Sequence, residues 1–133
     1  MKTSTFAGVL LLCLIITPLA NAQVAPTMVA TEVVICKDVV DRTPVDPGTT
    51  FSASVGQLYC FTKVLGAEGL TEVTHVWYFG NEERAKITLP VRSPSWRTFS
   101  SKKIRPNEAG QWFIDVVSAD GQVLQTIQFK ITP

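Results

Sequence analysis

From Thr31 to the C-terminus the chain has a period of two. Val, Ile, Thr and aromatic residues dominate, apolar and polar positions alternate over runs of five to nine residues, and turn formers separate the runs. No stretch has a convincing 3.6-residue period. Such a chain forms sheets, and each half-apolar strand needs a second layer over its apolar face. Strands are expected near Thr31–Val39, Gln57–Leu65, Glu72–Phe79, Ala85–Val91, Trp96–Ile104, Gln111–Ser118 and Val123–Ile131. The fold this implies is all-β: an antiparallel immunoglobulin-like β-sandwich of about seven strands. A small open barrel is the alternative.

Turn chemistry sets the expected register. Asp120-Gly121 reads as a type I′ hairpin turn, in which both central residues take positive φ. A two-residue loop there places Trp112, Ile114 and Val116 opposite Phe129, Ile127 and Gln125, a mostly apolar face. Gly80-Asn81 reads as a second tight loop. It puts Val76, Tyr78, Ala85 and Ile87 on one face, with Tyr78 in the core, and Val73, His75, Trp77, Arg84 and Lys86 on the other, with Arg84 opposite Trp77. Asp46-Pro47-Gly48-Thr49 is a turn between the first two strands.

The N-terminus reads differently. Met1-Lys2 is a short basic start, Phe6 to Ile16 is apolar, Pro18 breaks the run, and Ala20-Asn21-Ala22 supplies small residues for cleavage. Residues 1–22 are expected to be a secretory signal peptide, 23–30 a flexible leader and 31–133 the sandwich domain. The expected location is periplasmic or secreted. The whole chain carries 12 basic and 11 acidic residues, and Lys2 leaves with the signal, so the domain has a balanced charge. A nucleic-acid partner is disfavoured. No later apolar run is long enough to serve as a transmembrane segment.

Cys13 leaves with the signal, and Cys36 and Cys60 remain. In an exported chain the pair suggests a disulfide. A first hairpin centred on Gly48 would set the two directly opposite, within the reach of a disulfide worth about 3 kcal/mol. Two buried thiols are the alternative.

The densest polar and aromatic stretches are Thr74–Tyr78 and Ser95–Lys103. His75 is the lone histidine, so with two cysteines already spoken for it makes no metal site. It has three readings: a histidine bonded to a neighbouring strand, a ligand contact, or a general base. As a base it would draw on Ser100 or Ser101 and on Asp115 or Glu72, but no nucleophile-elbow motif frames either serine. Trp77 with Arg84 is either an aromatic platform edged by cations or a cross-strand cation–π pair. The strand Trp96–Lys103 is apolar on neither parity. It is either an edge strand protected by lysines or the wall of a polar groove. The candidate ligand residues are therefore His75, Trp77, Arg84, Trp96, Arg97, Ser101 and Lys102, with no catalytic or metal-binding residue and no cofactor. Trp112, at a strand start, belongs to the core.

The segments Val34-Ile35-Cys36, Leu58–Thr62, Thr74–Tyr78, Ser95–Lys102 and Gly110-Gln111-Trp112 resemble, in order and spacing, the bacterial domain of unknown function 2914 family. The resemblance runs from about Val33 to Ile131. It implies that His75, Trp77, Arg97, Ser101 and Lys102 belong to the family pattern, without separating binding from folding. The function expected is a non-catalytic exported module whose partner is an envelope glycan or an envelope protein. A structural or assembly subunit docking through a sheet edge is the second expectation, and a hydrolase centred on His75 the third.

Overall fold

The computed structural model describes Thr3, Gly8, residues 12–17 and residues 28–133. Most of the expected signal peptide and of the expected leader lies outside the described residues. Among the described residues ten strands form: β1 (Val29–Cys36), β2 (Asp38–Val40), β3 (Thr43–Val45), β4 (Thr50–Ser52), β5 (Gln57–Leu65), β6 (Thr71–Phe79), β7 (Glu82–Val91), β8 (Ser95–Lys103), β9 (Gly110–Ser118) and β10 (Val123–Thr132). The six later expected strands appear within three residues of their expected bounds. The first divides into β1 and β2, and β3 and β4 are short additions, which makes ten rather than seven. Val29 and Ala30, expected in the leader, open β1.

The strands build a sandwich of a three-stranded sheet, β1-β5-β8, and a five-stranded sheet, β4-β10-β9-β6-β7; β2 and β3 form a separate hairpin. Neighbours are antiparallel except β4, which runs parallel to β10. Between the layers lies one apolar core, with Val33, Ile35, Leu58 and Val64 from the small sheet and Trp77, Trp112, Ile114 and Phe129 from the large one. Phe129 is the hub of its aromatic cluster, edge-on to Trp77 at 6.1 Å and stacked on Trp112 at 5.9 Å. Trp112 is fully buried, as expected, and its Nε1 donates to the Glu108 carbonyl at 3.0 Å. Bonding back to backbone just upstream of the strand is the role a corner tyrosine plays in other sandwiches.

Three register expectations meet different outcomes. In the last hairpin Trp112, Ile114 and Val116 do face Phe129, Ile127 and Gln125. The turn itself is not type I′, since of Asp120 and Gly121 only Gly121 has positive φ, at 87°. A register shift between Val123 and Gln125 absorbs the difference.

The Gly80-Asn81 hairpin starts in the expected register, with Phe79 opposite Glu82 and Tyr78 opposite Glu83. It then shifts by one, so that Trp77 faces Ala85 and His75 faces Ile87. Arg84 is the extra residue. Beyond this bulge every partner of β6 changes parity. His75 and Trp77 therefore share the inward face with Ala85 and Ile87, while Tyr78 and Val76 turn outward, the reverse of the expectation.

In the first pair of long strands Cys36 faces Tyr59 and Ile35 faces Cys60. The hairpin expected at Gly48 is replaced by β2, β3 and β4, and the register differs by one residue. The cysteines thus lie on opposite faces of their strands, and both are free and buried rather than joined.

Candidate functional site

β6 presents two chemically different faces. Its inward residues meet the small sheet through a closed polar network. His75 Nδ1 lies 2.6 Å from Ser100 Oγ on β8, His75 Nε2 lies 2.9 Å from Thr62 Oγ1 on β5, and Trp77 Nε1 donates to Ser100 Oγ at 3.0 Å. His75, Thr62 and Trp77 are 0% exposed and Ser100 is 3%. Among the described residues no buried side-chain polar atom lacks a partner.

Donor counting orders the network. An indole can only donate, so Ser100 Oγ accepts from Trp77 and shares one further hydrogen bond with His75 Nδ1. The other ring nitrogen, Nε2, shares a hydrogen bond with the Thr62 hydroxyl, which also bears on Cys60. Burial drives the His75 pKa down to about 4, so the ring is neutral at ordinary pH. Burial pushes the Cys60 thiol up to about 12, and the Thr62 hydroxyl offsets part of that rise.

The dyad His75–Ser100 superficially suits acyl transfer. Its third member is a hydroxyl, however. Glu72 and Asp115, the carboxylates the sequence offered, belong to the outward parity: Glu72 alternates with Val73, and Asp115 pairs with Val76. A substrate cannot reach a ring with no exposed surface. The network ties two layers together instead.

The remaining candidate ligand residues do not converge. Trp96 is half-buried, with the Arg42 guanidinium 5.6 Å from its ring centroid. Lys102 shares its parity and holds its ammonium 5.5 Å from the Trp112 ring. Arg97, opposite Lys63, and Ser101, opposite Tyr59, lie on the outer face of the small sheet. Arg84, at the bulge, pairs with Glu82 at 3.3 Å and lies over Phe79 rather than Trp77. Neither the Trp77 platform nor a single groove through Arg97 forms.

A surface site does form where the sequence suggested core. The outward residues of β6, Thr74, Val76 and Tyr78, floor a groove of about 400 Å3, with Glu83, Lys86 and Thr88 of β7 on one side. Tyr78 stacks on Phe113 of β9, ring centroids 4.5 Å apart and planes at 12°. Thr74 and Thr88 hydroxyls are 3.1 Å apart, and beside the groove Thr126 donates to Asp115 at 2.6 Å. Aromatic surface, hydroxyls and both signs of charge thus meet on one open face. The signal missed was the bulge: once Arg84 is skipped, the alternation of β7 places Lys86 and Thr88 beside Val76 and Thr74.

The family comparison falls on this half of the molecule. Residues 70–131 match the model of the family described as Protein of unknown function (DUF2914). Just under half of the chain is thus similar to DUF2914 sequence. The matched stretch contains β6 to β9 and all but the last residue of β10, hence the whole groove, and also His75, Trp77 and Ser100. The match stops short of β1 and β5, so Cys36, Cys60 and Thr62 lie outside the matched segment, whereas the sequence resemblance runs from about Val33. No match to a curated protein was found. Among the described residues no helix is long and apolar enough to cross a membrane, and no group of three or more His, Cys, Asp or Glu is placed to hold a metal ion.

Proposed function

We propose that the chain is an exported, non-catalytic binding module, periplasmic or secreted, that takes an envelope glycan across the outer face of its five-stranded sheet. The observation that carries this reading is the groove at Tyr78, where an aromatic side chain sits among Thr74, Thr88, Glu83 and Lys86. A sugar ring has an apolar face of C–H groups, which the negative face of an aromatic ring attracts, and a rim of hydroxyls, which need donors and acceptors. Concave sites with an apolar body and a few convergent polar groups are where such ligands bind. The leader-like N-terminus supports export. Retention of the purified chain on isolated cell envelope and on peptidoglycan tests the proposal. Tyr78→Ala is expected to abolish retention with the fold intact. Arg97→Ala, on the opposite face of the sandwich, is expected to leave it unchanged. Equal retention of Tyr78→Ala and the unaltered chain would sink this reading.

Assembly through a sheet edge is the second reading, and Phe99 favours it. It is 43% exposed on β8, an edge strand, 5.9 Å from Tyr59. A concentration-dependent oligomer that Phe99→Lys dissolves is its signature.

A further inference from the structure

The groove at Tyr78 has a neighbour at the end of the sheet. A second cavity, of about 320 Å3, opens at the end of the sandwich between Met28, the loop holding Ala67 and Glu68, and the β9–β10 turn. Both cavities are lined by Ser118 and Ala119, so they adjoin at the β9–β10 turn. From Tyr78 to Glu72 the first runs along six residue steps of β6, about 20 Å at the rise of a strand. The second continues past Thr71 to Asp120 and Glu68.

The charge along this track is one-sided. The wall at Tyr78 carries Lys86 beside Glu72 and Glu83, and the end cavity adds Glu68 and Asp120 with no cation. None of these carboxylates is engaged in an ion pair among the described residues, where the pair present is Arg84–Glu82. The hydrogen bond from Ser118 holds the Asp120 carboxyl below its ordinary range, which keeps it anionic. The floor of the end cavity is apolar, with Met28, Ala67 and Leu124.

We infer that the two cavities form one continuous track whose ligand is an extended saccharide bearing protonated amines, its amines meeting Glu68 and Asp120 at the end of the sandwich. This rests on the glycan reading and adds a charge class and a length. Short saccharides fill the groove at Tyr78 alone; longer ones turn the corner at Ser118–Ala119 and reach the carboxylates.

Calorimetric titration of the full chain with glucosamine oligomers and with their N-acetylated counterparts tests this, at a pH where the amine is protonated. Long glucosamine oligomers are expected to bind about three- to ten-fold tighter than the acetylated series, the scale of two solvent-exposed ion pairs, with the advantage falling as salt is added. Glu68→Gln with Asp120→Asn is expected to erase that advantage while leaving the acetylated affinity and the disaccharide affinity untouched. Both residues are exposed, so the double variant keeps its fold. Equal affinity for the two series, with Tyr78→Ala still abolishing both, overturns the amine inference and leaves the glycan reading standing. Binding of neither series overturns both.

Discussion

The two faces of β6 are built from the same nine residues and could hardly differ more. Inward, Val73, His75 and Trp77 have no exposed surface, and every polar atom on that side is spoken for. Outward, Thr74 and Tyr78 are half-buried and keep hydrogen-bonding capacity for something else. Polarity alone does not distinguish a site from a brace. His75 and Ser100 are as polar as Thr74 and Lys86, but their partners are already present within the fold. The capacity left unspent is on the face proposed to bind.

The largest expected effect breaks β6 itself. Deleting Val76 shifts half of a central strand by one residue against both β7 and β9, exchanging its faces; no folded protein is expected in a soluble-expression and circular-dichroism assay. Deleting Arg84 from the edge strand removes the bulge but keeps every other pair of the hairpin. A loss of about 1 kcal/mol by urea titration is expected.

Next comes the brace. His75→Ala leaves a cavity and strands the hydroxyls of Ser100 and Thr62, and should cost about 3–5 kcal/mol. Tyr78→Ala, one strand-step beyond Trp77 and facing out, should cost about 1 kcal/mol while removing ligand retention. A Tyr78 variant that unfolds like the His75 variant would erase the distinction between the faces.

The pH dependence sharpens the same contrast. The His75 pKa is about 4 in the folded chain against 6.5 in the open chain. Between those values the unfolded state binds the proton that the native state refuses. Stability from this residue is therefore complete above pH 6.5 and falls as pH drops to about 4, by about 3 kcal/mol in all. Denaturation midpoints measured across that window should slope for the native sequence and lose this slope in His75→Gln.

The smallest expected effect concerns the thiols. A reductant should leave the melting temperature unchanged, and alkylation of Cys60 should wait for unfolding, because its buried thiol is held near 12. A fall in stability on reduction, on the scale of about 3 kcal/mol, would mean that Cys36 and Cys60 are bonded after all.

Much of the fold was legible because alternation and turn residues are local signals. β5 matches its expected bounds residue for residue, and the β9–β10 register holds across the body of its strands. What escaped was non-local. A bulge at Arg84 has no composition signature, and it exchanged the β7 residues that join each face of β6. The β2–β3 turn is made by Asp41 and Arg42, both at positive φ without a glycine, so turn chemistry gave no warning there. The one-residue offset at Cys36 follows from that unforeseen hairpin. The site was illegible for the same reason: its candidates were chosen for polarity and aromaticity, and whether such a side chain faces a partner or solvent is decided by neighbours far away in sequence.

Arg84 also bears on how this domain changes length over time. It is a spare residue on an edge strand, so one amino acid can be lost or regained there while each pair beyond it stays matched. β6, clamped between two strands, has no such slack. Length polymorphism among natural variants of this hairpin should therefore collect at Arg84 and the Gly80-Asn81 loop, and spare the nine residues that divide the brace from the groove.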